Sequence, residues 1–188
     1  MSAPVPWFRV SATALAGVMT IDRHRREDRR GYFSRLFCGD ELAGAGVFMT
    51  IAQINHTLTR RAGSARGLHF QRPPHGETKI VNCLRGEVFD VAVDLRRDSP
   101  TFLLWHGETL SAVNGRSLCI PPGVAHGFQA LTDDCELVYL HSTPYTAHAE
   151  AGIALDDPAI GIAWPLPFAE RSDRDLAHPR LDRGYTGL

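Results

Sequence analysis

Arg66-Gly67-Leu68-His69-Phe70-Gln71 sets an arginine three residues before a histidine, and Lys79 follows ten residues after that histidine. The segment otherwise reads as β-strand. Charged groups lose hydration inside a protein, so such a cluster is costly to bury without a purpose. An imidazole exchanges a proton near neutral pH. A lysine and an arginine can hold an anion, or an oxygen on which negative charge develops. Together they point to proton abstraction next to a carbonyl on an anionic substrate. A lone histidine on a strand is more often structural; Arg66 and Lys79 beside His69 turn the reading toward catalysis.

Other elements must hold this cluster in place. Strand-like runs recur at residues 48–54, 79–83, 87–95, 102–105, 117–120, 127–131 and 136–141, separated by Gly, Pro and Asn turns. Arg85-Gly86 is one such turn. In the run from Glu87, residues Asp90, Ala92 and Asp94 share one face and Phe89, Val91 and Val93 the other. Asp90 on a strand is unusual enough to be expected in a pocket. Many short strands at this spacing predict an all-β fold, a sandwich or jelly roll. Helical signals are few. Residues 40–45 predict one turn. Residues 172–177 predict another, with Ser172 as N-cap and Asp173 in the first turn. The prolines at 165 and 167 predict a rigid bend into a tail, expected to pack on the domain from about residue 166.

Composition narrows the function classes. A chain of 188 residues is expected to form one domain, residues 1–188, with a real core. The net charge of −1 gives no sign of a nucleic-acid protein. Arg23, Arg25, Arg26, Arg29 and Arg30 crowd one segment. The plain reading of such a run is a solvated loop; the sharper one is that one or two of these arginines meet a phosphate. The four cysteines lie far apart without a C-x-x-C pair, which fits a reducing cytoplasm. Pro4, Pro6 and Arg9 interrupt the apolar N-terminal residues, so no signal peptide is expected. No stretch approaches the ~20 apolar residues of a membrane helix.

Several motifs then follow in order: Arg66-Gly-Leu-His-Phe-Gln71, Lys79-Ile-Val81, Gly86-Glu-Val-Phe-Asp-Val-Ala-Val-Asp94, Ser99-Pro-Thr-Phe102 and Ile120-Pro-Pro-Gly-Val-Ala-His-Gly-Phe128, continued by Tyr139, Tyr145 and Ile162-Ala-Trp-Pro165. On these residues the chain resembles the dTDP-4-dehydrorhamnose 3,5-epimerase family from about residue 28 to 181. The resemblance implies a cupin-like jelly roll (a double-stranded β-helix), a homodimer, and no cofactor or metal. It implies epimerisation of a nucleotide-diphosphate sugar, dTDP-4-keto-6-deoxyglucose, at C3 and C5. It also implies roles. His69 is the general base, Asp175 the carboxylate that orients it, Lys79 the group at the enolate oxygen and Tyr139 the acid on the opposite face. Arg66, Arg30 and His126 contact phosphate. Gln53 and Asn55 line the substrate pocket, Tyr145 lies near the base and Glu150 just beyond it.

Three positions depart from the family pattern. Arg35 stands where the family has Glu, Glu77 replaces a Gln before the lysine, and Leu155-Asp156-Asp157 replaces Trp-Asn-Asp. The charge reversal at Arg35 leaves the nucleotide open, and relatives acting at C3 or C5 alone leave the regiochemistry open. Two readings compete. Residues 121–126 look like the second metal motif of the cupins, but the first needs His-x-His and here reads His69-Phe-Gln71, too few imidazoles for a typical iron site. A sugar-nucleotide binder on the same fold would need no acid and base on opposite faces.

Overall fold

Extended backbone turns successive side chains to opposite faces, and most of the predicted runs do form strands. The structure, a computed structural model, describes residues 5–182 and 184–188; the interruption expected at Pro4 lies outside them. In chain order the strands are β1 Phe8–Ala12, β2 Met19–Arg23, β3 Arg25–Asp28, β4 Gly31–Ser34, β5 Gln53–Thr59, β6 Ala65–Gln71, β7 Lys79–Arg85, β8 Glu87–Asp94, β9 Trp105–Ser111, β10 Arg116–Ile120, β11 Val124–Ala130, β12 Cys135–His141 and β13 Glu150–Gly152. Two short helices join them, α1 Gly39–Gly44 and α2 Asp173–Leu176. One antiparallel sheet runs β1-β2-β10-β7-β12-β5 and a second runs β13-β6-β11-β8-β9, while β3 and β4 form a separate hairpin. The two large sheets pack face to face as a jelly roll.

The core lies in three layers. Between the sheets, Val81, Cys83, Leu118 and Leu137 of the first meet Val88, Ala92, Leu110 and Phe128 of the second. Outside the second sheet, Leu68, Phe70, Val91 and Val93 pack against Ile153, Leu155 and Ile160, with Trp164, Phe168, Leu181 and Tyr185 half-buried over them. Outside the first sheet, Ile80, Cys119 and Leu140 meet Phe8, Val47 and Leu42 of α1. Each fully buried aliphatic side chain stabilises by about 1.5–3 kcal/mol. Because both sheets are covered, β11 is buried along its whole length.

One close approach shapes the functional end of the second sheet. β6 and β11 pair His69 with His126 and Arg66 with Phe128, and the register slips between them. Two glycines meet at the slip. A Cβ on Gly67, whose φ is +123°, would fall 2.5 Å from Gly127 Cα, and one on Gly127 would fall 2.7 Å from Arg66 O. Only glycine tolerates both the conformation and the contact.

Two strands differ from expectation. The run at 48–54 gives way to β5, which begins at Gln53. Its inward positions are polar and Ile54 is exposed, which inverts the usual pattern. Of the run expected at 102–105 only Trp105 is in a strand, as the first residue of β9. The cause is Asp94, fully buried, which accepts from Arg96 N (3.1 Å), Arg96 Nε (2.8 Å), Thr101 Oγ1 (2.6 Å) and Ser99 Oγ. These bonds curl the following residues into a loop.

Burial alone would raise the Asp94 carboxyl, but its bonds to Arg96, Ser99 and Thr101 outweigh that and lower it to about 2. A depressed carboxylate adds stability above its ordinary pKa of 3.8, lost as pH falls toward about 2. Asp94→Asn should therefore cost about 2 kcal/mol at neutral pH, and the gap to the parent should narrow below pH 4. Thermal unfolding at pH 7 and pH 3 checks this; an equal gap at both would count against it.

Candidate active site

Along several strands the inward face changes from apolar to polar toward one end of the sandwich. On β7, Cys83 and Val81 give way to Lys79. On β12, Leu137 gives way to Tyr139 and His141. On β6 the inward residues are Arg66, His69 and Gln71, and on β5 they are Thr57, Asn55 and Gln53. These ends line one cavity of about 440 Å³, completed by His126, Glu77, Tyr145, Glu150, Arg174 and Asp175. Neighbouring strands thus supply the site by side-chain alternation, with the register slip between β6 and β11 bringing Arg66 and His69 to the same face.

Three imidazole–carboxylate pairs surround the cavity. His69 Nε2 lies 2.6 Å from Asp175 Oδ1, His126 Nε2 lies 2.7 Å from Asp90 Oδ1, and His141 Nδ1 lies 2.8 Å from Glu77 Oε2. A carboxylate only accepts, so each bond assigns the proton to the imidazole nitrogen. His69 therefore keeps Nδ1 as its basic nitrogen. Asp175 sits in α2, which Ser172 caps by accepting from Asp175 N. Burial would raise Asp175, but the bond and charge of His69 outweigh it and lower its carboxyl, keeping it ionised. Burial lowers His126 below the ordinary histidine range despite Asp90, so His126 is neutral at pH 7.

The polar wall is connected. Lys79 Nζ is 3.3 Å from Glu77 Oε1. Glu77 accepts from His141, whose Nε2 faces the Asn55 amide at 3.3 Å. Gln53 donates to Asn55 (3.0 Å) and accepts from Tyr145 N (2.9 Å). The Tyr145 hydroxyl donates to Glu150 (2.8 Å), which Arg174 also holds at 3.0 Å. Arg174 Nη2 then comes within 3.4 Å of His69 Nε2. Tyr139 faces this wall from the first sheet, buried, and burial raises its hydroxyl well above the tyrosine range.

The structure brings His69, Lys79, Tyr139, Asp175, Gln53, Asn55, Arg66, His126, Tyr145 and Glu150 to this cavity. It does not bring Asp90 or Arg30 there. Asp90 stands behind His126 as its carboxylate partner, since the inward side of β8 meets β11 before it meets the cavity. Arg30 lies at the turn of the β3–β4 hairpin, 84% exposed and paired with Asp28; the two-residue turn carries it away from the sandwich. Arg35 binds Glu41 of α1 and packs over Trp7, also outside the cavity. Sequence analysis assigned no role to His141 or to Arg174, and both line the cavity. His141 had a signal: two residues after Tyr139 on one strand, it must share that residue's face.

His69, Asp175 and His178 hold three potential metal-ligand atoms within 4.8 Å of one another. The 2.6 Å separation of His69 and Asp175 is that of a hydrogen bond, shorter than two donors ~2 Å from one ion would keep in a tetrahedral site.

The sequence profile of the family described as dTDP-4-dehydrorhamnose 3,5-epimerase matches residues 12–183. The dTDP-4-dehydrorhamnose 3,5-epimerase of Salmonella typhimurium is 42% identical over 178 residues, covering 93% of this chain and 96% of that protein. The crystal structure of the enzyme of that name from Bacillus anthracis, with TDP and PPi bound, superposes with a TM-score of 0.90 at 36% identity, covering 93% of this chain and 99% of that one. The epimerase from Legionella pneumophila in complex with dTDP-4-keto-L-rhamnose gives 0.87 at 34% identity, covering 92% of each chain.

Nitrogen-15 spectra should show His126 neutral at pH 6 with its proton on Nε2. Asp90→Ala should lower stability by about 2 kcal/mol, because it leaves a buried donor unpaired. A charged His126 at that pH would contradict the burial argument.

Proposed function

The chain belongs to the dTDP-4-dehydrorhamnose 3,5-epimerase family, and from that membership we propose that it epimerises dTDP-4-keto-6-deoxyglucose at C3 and C5 in the cavity between its sheets. One observation carries the assignment of roles. An imidazole backed by a carboxylate stands on the second sheet, and a buried tyrosine stands on the first, with Lys79 beside it.

The chemistry follows from that placement. A proton alpha to a ketone is weakly acidic, and its removal leaves charge on the ketone oxygen. His69 takes the proton through Nδ1 while Asp175 stabilises the imidazolium. Lys79 stabilises the enolate oxygen where charge develops. Tyr139 returns a proton from the opposite face of the sugar, inverting the carbon. Its raised pKa keeps it protonated and able to donate. Arg66 bonds Thr59 and the Leu58 carbonyl. It also borders a second hollow of about 500 Å³ that holds Arg60 and Arg171. This hollow suits the diphosphate. His126, neutral and fixed by Asp90, offers a polar edge without a second charge. Gln53 and Asn55, whose amides are oriented by His141 and Tyr145, present fixed donors to the substrate.

Two further properties rest on the same reading. The enzyme is a homodimer; the exposed Phe33 (63%) and Tyr32 on the β3–β4 hairpin, with Ile54 on the edge strand β5, are apolar surface for a second copy. It works in the cytoplasm, which suits four free thiols; no helix among the described residues is long and apolar enough to cross a membrane.

In D2O, purified enzyme with dTDP-4-keto-6-deoxyglucose should place deuterium at both C3 and C5, read by NMR. Exchange at one carbon would make it a mono-epimerase, and none from folded protein would defeat the assignment. His69→Ala should lower kcat by about 10³-fold or more. Tyr139→Phe should slow product formation more than proton exchange; equal loss of both would remove Tyr139 as the acid.

A further inference from the structure

His178 lies next to the catalytic pair without being used by the chemistry above. Its ring packs edge-on against that of His69, centroids 5.3 Å apart. Its Nε2 stands 3.6 Å from Asp175 Oδ1, just beyond a hydrogen bond. That nitrogen is buried and has no other partner. An unpaired buried polar atom costs stability, so its position calls for a reason.

Gly152 shows that the position is built. It ends β13, paired with His69 on β6. Its φ lies outside the left-handed region, so the backbone does not require glycine there. Space does. A Cβ on Gly152 would fall 2.3 Å from His178 Nε2 and 2.4 and 2.5 Å from two of its ring carbons. Any other residue would push the imidazole out of the slot beside Asp175.

We infer that His178 is a positioning residue for the His69–Asp175 pair, bracing the His69 ring and dividing the charge of Asp175 between two imidazoles. The inference rests on His69 being the base. The groups facing His178 are Asp175 and Arg174 from α2, His69 from β6 and Glu150 from β13. Burial, His69 and Arg174 keep His178 uncharged, against the opposing pull of Asp175 and Glu150. A neutral imidazole set 3.6 Å from Asp175 shares that carboxylate with His69 and so weakens its hold on a His69 imidazolium. In acid, protonation of His178 would set a second cation against the same carboxylate and act in the same direction.

Three variants test this: His178→Phe keeps a ring without nitrogen, His178→Gln keeps a donor, and Gly152→Ala keeps His178 but fills its slot. The His69 pKa is read by nitrogen-15 NMR, and kcat/KM is followed against pH. In His178→Phe and Gly152→Ala the His69 pKa and the acid limb of kcat/KM should both rise by about half a unit, with kcat down about threefold and KM little changed. His178→Gln should restore part of the shift. A packing role alone would leave His178→Phe with the parent's titration. That result, or an unmoved His69 pKa in both His178 variants, overturns the inference. Should Gly152→Ala not fold, the His178 pair decides. If the parent enzyme shows no exchange, the assigned reaction fails, while the NMR titration still judges the role of His178.

Discussion

The 2.6 Å hydrogen bond between His69 and Asp175 joins the second sheet to a helical turn 106 residues farther along the chain. The charge on Asp175 fixes which imidazole nitrogen is basic. To deliver it, the C-terminal segment must cross the outer face of the second sheet and return to the cavity. Ile153, Leu155, Ile160, Trp164 and Phe168 bury that crossing against Leu68, Phe70, Val91 and Val93. The outer hydrophobic layer thus serves the site: without it Asp175 has no reason to be near His69. Ser172 completes the delivery by capping the turn that carries the carboxylate.

The same constraint repeats around the cavity. A buried imidazole needs a partner, and each of the three here has an acid: Asp175, Asp90 or Glu77. The partners differ in what they leave the histidine free to do. His69 borders the cavity, with one nitrogen committed and one basic. His126 is buried and held neutral, so it adds shape and polarity without charge. His141 spends both nitrogens on the wall, one on Glu77 and one toward Asn55. Within one pocket, burial and partner separate the proposed base, His69, from two histidines whose nitrogens are held neutral or spent on the wall.

Two departures from the family pattern acquire physical meaning in this arrangement. Glu77 faces both Lys79 and His141, and its carboxyl is lowered by them against the opposing effect of burial. The ammonium at the proposed enolate site is therefore held in place by a charge that a Gln would not supply. Arg35, by contrast, is engaged with Glu41 and Trp7 outside the cavity. The charge reversal there changes the surface beside α1 and leaves the polar wall of the cavity in this chain intact.

Much of this was legible in the residues. Short apolar runs between turn signals marked an all-β sandwich, because strand periodicity is a local property. The spacing of Arg66, His69 and Lys79 marked the cavity they line, because charged groups on core strands are costly without a use. The paired glycines of the Arg66-Gly67 and His126-Gly127 motifs are where two strands nearly touch, which a reader of the chain sees only as two separate motifs. Long-range pairing was not legible. Nothing local to Asp90 says that it backs His126 rather than facing the cavity, nothing local to Arg30 says that its hairpin carries it away, and nothing near His178 says that Gly152 makes room for it. The sequence by itself determined which segments extend, which faces are apolar and which groups can move a proton. Only the tertiary structure decided which acid meets which imidazole, because a contact between residues a hundred positions apart depends on how whole sheets and their covering layers pack.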